Sequence, residues 1–141
     1  TGKKIIPHVI EPALGINRLL LMILVDAYTE EENRVVLKIH PSIAPYKIAV
    51  FPLLANKEQL VDRASKVFNG LRQDFMTTFD GRGNIGKRYL YQDEIGTPWC
   101  VTVDFQTLED ETVTIRDRDT TAQVRVPIKE LTDYFQEKLN G

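Results

Sequence analysis

The spacing of apolar and polar residues changes character near Tyr46, and that change divides the chain. Before it, Lys4 to Ile10 has the composition of a strand, closed by Glu11-Pro12. Gly15 then precedes a predicted helix that runs to about Tyr28, and its centre, Leu19 to Val25, is apolar on every side. Such a block is far below the ~20 residues needed to cross a bilayer, so it is not a membrane span. A helix apolar all round belongs in the middle of something large. The first forty or so residues cannot surround it, so this opening is expected to be the tail of a bigger domain, completed by further sequence or by a partner chain. The charged run TEEENR reads as a solvated turn, and Val35 to Ile39 as a short strand. Pro41 and Pro45 flank a stiff connection.

From Tyr46 the pattern alternates between strand and helix, the sign of a layered α/β domain. Ile48 to Leu54 is an apolar strand of the kind buried on both faces. Asn56 is placed to cap the next helix, with Gln59 in capping-box position, and Leu60, Val61, Ala64, Val67, Phe68 and Leu71 fall at core spacing along it. A strand, Asp74 to Phe79, leads to the glycine-broken loop DGRGN and a helix over Ile85 to Ile95 that Gly96 ends. Trp99, Val101, Val103 and Phe105 share one face of the following strand, where the Trp is core unless an exposed edge stacks on a base. Thr112 to Asp117 and Ala122 to Val126 alternate as a hairpin. Val113 and Ile115 face inward; Thr112, Thr114, Arg116, Arg118, Gln123 and Arg125 face outward. Pro127 opens a final helix with Ile128, Leu131, Phe135 and Leu139 as its core stripe before Gly141.

The loop is the chemically suggestive stretch. Arg82, Lys87 and Arg88 gather where a helix begins, and glycines let backbone N–H groups approach an anion closely, so the place suits phosphate. Gly81, Gly83 and Gly86 spell G-x-G-x-x-G, with Asp104 about twenty residues on, as in dinucleotide sites. The preceding stretch, however, is half polar where a buried strand is needed. Gly81, Gly86 and Lys87 also approach an ATPase phosphate loop, but Arg88 stands where Ser or Thr must hold magnesium. A solvated turn with no ligand is the plain alternative. The outward hairpin arginines offer an RNA surface, unless Asp117, Asp119 and Glu109 to Glu111 neutralise them in a solvated ladder.

Bulk charge narrows this picture. Against 20 acidic residues stand 18 basic ones, for a net of −2, so any RNA contact must come from a local patch. Cys100 is the only cysteine and lies in an apolar run, which excludes a disulfide framework and fits a reducing, cytoplasmic setting. His8 and His40 have no second ligand at metal spacing.

Two stretches resemble one family. PHVIEPALGINRLLL, residues 7–21, looks like the third signature motif of class II aminoacyl-tRNA synthetases in its glycyl form, and residues 86–119 resemble the anticodon-binding domain of the same enzymes. The likeness covers almost the whole chain in the expected order. It implies residues 1–45 as the end of a catalytic domain with its linker, and 46–141 as an anticodon-binding domain. That domain would be a three-layer α/β/α fold with a mixed five-stranded sheet of order 2-1-3-4-5. It further implies an ATP- and magnesium-dependent ligase, commonly a homodimer, that joins glycine to its tRNA. Arg18 would sit against the ATP phosphates as the catalytic residue. Glu11 would hold the glycine amino group, with Ala13 and Gly15 beside it, although the family often has serine where Ala13 stands. Arg82, Lys87 and Arg88 would meet the tRNA backbone, and Glu109, Asp110, Arg116 and Arg118 would read bases. The first two class II motifs are not in this sequence, so the chain alone is not expected to activate glycine. The alternatives are a nucleotide-binding domain using the Gly81–Gly86 loop and a non-catalytic accessory protein of the same fold.

Overall fold

The computed structural model describes residue 2 and residues 4–140; Gly141, expected to follow the last helix, lies outside them. Gly15, in an extended conformation, starts helix α1, Ile16–Ala27. The helix passes with no intervening residue into strand β1, Tyr28–Glu31, which pairs antiparallel with β2, Arg34–Leu37. TEEENR therefore turns only at Glu32 and Asn33; the residues before that turn are paired strand. One expectation fails here. Lys4 to Ile10 forms no strand: among the described residues no neighbouring strand accepts its backbone hydrogen bonds, and Ile5, Ile6, Val9 and Ile10 are exposed. Within this chain α1 is not enclosed, as the shortage of surrounding residues implied: only Ala27 is buried, while Leu20, Leu21, Met22 and Val25 face solvent, since what packs on it is the hairpin at its C-terminal end.

The main sheet is built on β3, Ile48–Pro52, buried along its whole length. It pairs in parallel with β4, Thr77–Phe79, on one side and with β5, Trp99–Val103, on the other. β6, Thr112–Asp117, and β7, Gln123–Pro127, continue it as an antiparallel hairpin. The resulting order, β4-β3-β5-β6-β7, is 2-1-3-4-5 counted from β3, as the resemblance implied.

That order dictates which face each helix covers. The crossover through α2, Glu58–Leu71, moves outward from β3 to β4, and the one through α3, Ile85–Ile95, moves back past β3 to β5. Right-handed crossovers in opposite directions must lie on opposite faces. One face accordingly holds Val50, Val101, Val113 and Ile115 against Leu60, Ala64 and Leu71 of α2. The last helix, α5, Leu131–Asn140, packs on that face too, with Phe135 set between Trp99, tilted at 5.5 Å, and Phe75, edge-on at 6.0 Å. Trp99 is core. The other face holds Ala49, Phe51 and Cys100 against Ile85 and Tyr89 of α3. Burial there pushes the Cys100 thiol far above its usual range, which leaves it inert as a nucleophile.

Several local details depart from the sequence pattern. α2 starts one residue later than an Asn56 cap requires. Asn56 lies in a turn, and Lys57 is the N-cap, without a side-chain bond. Phe105 leaves the strand and opens a short helix, α4, Phe105–Asp110, because Asp104 and Thr107 form a capping box that ends β5. The strand expected from Asp74 shrinks to β4. Pro127 closes β7 and precedes a single 3-10 turn, Ile128–Glu130, so that α5 begins later.

Candidate nucleic-acid interface

The loop before α3 is positioned by a residue that sequence placed on its surface. Arg88 is buried. It donates from Nε to the Arg82 carbonyl at 3.1 Å, from Nη2 to the Gly83 carbonyl at 2.9 Å and from Nη1 to the Pro52 carbonyl at the end of β3. Its charge is spent holding the loop to the sheet, which corrects its expected role in phosphate contact. Burial pulls the Arg88 pKa below the usual guanidinium value, and the nearby Asp80 carboxylate opposes this. Asn84 caps the helix, its Oδ1 accepting from the Lys87 amide at 2.8 Å, and Gly83 takes a positive φ of 66° that an L side chain rarely adopts.

On this frame two cations stand exposed beside the loop. The Arg82 side chain is 91% exposed, tethered at its base by Asp80, which accepts from the Arg82 amide at 2.8 Å and from Nε at 3.3 Å. Lys87 is exposed one turn into α3. With Asp80, Gly83, Arg88 and Tyr91 they line an open hollow of about 310 Å³. Tyr91 is not singled out by the sequence, although it stands four residues after Lys87 and therefore on the same helical face, where its ring is exposed.

The hairpin arginines are not in this site. Arg116 lies on the sheet face that α3 covers, where Nη1 and Nη2 donate to Asp93 at 2.8 and 2.9 Å and the guanidinium stacks 5.0 Å from the Tyr89 ring. Burial works against the Arg116 charge, but the Asp93 carboxylate more than offsets it and holds the pKa above the usual value. Arg118 is also buried, donating to the carbonyls of Ile39 at 2.9 Å and Gly96 at 2.8 Å and forking onto Asp119. Both were expected to read bases; both are internal ties instead, because the outer face of the hairpin is roofed where they stand.

Of the acidic candidates, Glu109 and Asp110 are exposed at the end of α4. Asp110 accepts from the Thr112 hydroxyl at 2.7 Å, which leads the causes holding its carboxyl below the ordinary range. Arg125 does face outward, forked onto Asp104 at 2.8 and 3.1 Å. Asp104 is thus committed to Arg125 and to capping α4, which leaves it no part in a dinucleotide site. Glu11, Ala13, Gly15 and Arg18 lie along an exposed stretch that enters α1, where Arg18 shares an open apolar hollow with Leu21, Met22, Val25 and Asp26.

The Arg125 fork, leading the causes, lowers the Asp104 pKa. A depressed folded pKa contributes stability above the unfolded value of about 3.9 and loses it as pH falls through the folded value. Asp104→Asn keeps a good N-cap but removes the charge. It is expected to lower the urea-unfolding free energy at pH 7 by about 1 kcal/mol, with the difference from the parent closing below about pH 4.

Residues 47–138 match the family profile described as an anticodon binding domain. Among curated proteins the chain is 53% identical to a glycine–tRNA ligase of Clostridium acetobutylicum, over 99% of this chain and 30% of that protein. It is 52% identical to the glycine–tRNA ligase of Caldanaerobacter subterraneus, with the same coverage. With the Bacillus anthracis glycine–tRNA ligase the identity is 50%, over 99% of this chain and 31% of that protein. The chain therefore spans about 30% of the length of these relatives.

Proposed function

The chain belongs to the anticodon-binding domain family, and from that premise we propose that it is the tRNA-gripping C-terminal part of a ligase that joins glycine to its tRNA. The observation that carries the site is the pair of exposed cations, Arg82 and Lys87, on a loop that Arg88 anchors to the sheet. Exposed cations on a fixed backbone frame meet phosphates, and Tyr91 beside them offers a stacking face. Glu109 and Asp110 at the end of α4 serve as acceptors for base amino groups. In this arrangement the carboxylates meet base edges while Arg82 and Lys87 meet the backbone.

The rest of the reaction belongs to the longer protein. There Arg18 meets the ATP phosphates, Glu11 holds the glycine amino group, and Ala13 and Gly15 line the space beside it. Ala13 gives no hydroxyl to that contact. ATP is a substrate. Magnesium accompanies it, bound largely by the nucleotide's own phosphates. The intact ligase works as a homodimer in the cytoplasm.

Binding of glycine tRNA to this chain, followed against salt, tests the reading. Arg82→Ala with Lys87→Ala is expected to weaken binding about tenfold or more and to make the log–log salt slope shallower by about 1.5, the signature of two lost phosphate contacts. A tRNA with a changed anticodon should bind more weakly than the cognate one. Equal affinity for both would count against an anticodon-reading role.

A further inference from the structure

The joint between the β1–β2 hairpin and α3 is filled with charge, and charge is rare in a buried joint because it must be matched in position to be tolerated. Asp93, near the end of α3, is fully buried. Besides the two bonds from Arg116, its Oδ2 accepts from Arg34 Nη1 at 2.9 Å. The same Arg34 nitrogen donates to the Arg118 carbonyl at 2.8 Å, while its Nε is held by Glu31 at 2.7 Å across the hairpin turn. Arg118 crosses in the other direction to the Ile39 carbonyl. Between these ties Gly96 takes a φ of 83°, and a Cβ there would lie 2.9 Å from the Leu37 carbonyl oxygen, so the hairpin backbone rests directly on the end of α3.

Apolar surfaces would hold such a joint but allow it to slide; planar, multiply bonded guanidinium groups fix its register. The register matters because of what each side carries. The hairpin continues α1 without a break, so the seat of the hairpin sets the direction of the helix that bears Arg18. The far end of α3, about 16 Å away at 1.5 Å per residue, opens at the Arg82–Lys87 loop. One straight element thus joins the cationic loop to the seat of α1.

We infer that Arg34 is a positioning residue for tRNA charging: acting through Asp93 and the Arg118 carbonyl, it holds α1 and α3 in register, so that a tRNA gripped at the loop is presented in line to the part of the ligase that contains Arg18. This rests on the function proposed above. Arg34 touches neither tRNA nor glycine. Its loss leaves the two halves working but misaligned.

The test uses the full-length ligase with Arg34→Met, which leaves the Asp93–Arg116 pair inside the domain. Three quantities are compared: glycine-dependent ATP–pyrophosphate exchange, Kd for tRNA, and kcat for tRNA charging. Exchange and Kd are expected to stay within about twofold, while charging kcat falls about tenfold or more, as misplacement of about an ångström far from the chemistry can cause. Arg34→Lys, which keeps the charge but not the fork, should recover part of the loss. Unchanged charging overturns the inference. So does a parallel fall in exchange, which marks a merely structural residue, or a loss confined to tRNA affinity. Failure of the underlying reading shows separately, as unaltered ligase that binds tRNA without regard to its anticodon.

Discussion

Replacing Asp93 by Ala is expected to lower the unfolding free energy of this chain by about 3–5 kcal/mol, among the largest effects of any single substitution in it. The carboxylate is out of contact with water and accepts from two guanidinium groups, of which Arg116 has 9% and Arg34 10% of its side chain exposed. Removing the carboxylate leaves two cations facing each other in a space without solvent to screen them, so the cost comes from the arginines left behind more than from the bonds lost. Urea unfolding at neutral pH measures the loss. The interpretation is checked by Asp93→Ala combined with Arg116→Met, which should recover stability relative to Asp93→Ala alone. If the double variant loses the sum of the two single effects, the charges are not coupled as the geometry requires.

Arg118→Ala is the second large effect, about 3 kcal/mol or more, and it falls on stability and not on recognition. Its guanidinium fills a buried position and satisfies the carbonyls of Ile39 and Gly96. Truncation leaves both oxygens unpaired and a cavity where the side chain lay. Thermal or urea unfolding should show the loss, while the Kd of the still-folded protein for tRNA stays within about twofold of the parent. The base-reading role that the resemblance implied for Arg118 carries a different expectation, a weaker grip on tRNA. A large fall in affinity without a fall in stability would restore Arg118 to the binding surface.

Where sequence and structure agree, the controlling physics is local. The helix Ile85–Ile95 has the bounds the pattern predicts, because Asn84 satisfies an opening amide and Gly96 adopts the left-handed turn that closes it. β3 is apolar in sequence and buried in fact, since a parallel strand covered on both sides has no solvated face. Where they part, the cause lies far off in the chain. Alternation along β6 correctly separates Val113 and Ile115 from Thr114 and Arg116, but period two says nothing about what covers the second face. That cover is α3, brought there by the crossover from β4, and it makes Arg116 internal. Arg88 follows the same logic on its own helix: neighbouring positions point about 100° apart, so Lys87 and Tyr91 share the wet side while Arg88 and Gln92 share the buried one. Asp104 and Thr107 carry a capping-box signature in the sequence, masked by an apolar strand pattern that runs on into Phe105.

The hairpin seat has a practical consequence for anyone trimming this chain. A piece cut after Pro45 would leave Arg118 without the Ile39 carbonyl and Asp93 without its second guanidinium, undressing polar groups that the remaining domain cannot satisfy. Starting at Tyr28 keeps both dressed. The same start discards the oily flank of α1 at the loss of the Ala27 carbonyl that accepts from the Lys38 amide, so a piece that keeps the charged ties is also one that should stay dispersed at high concentration.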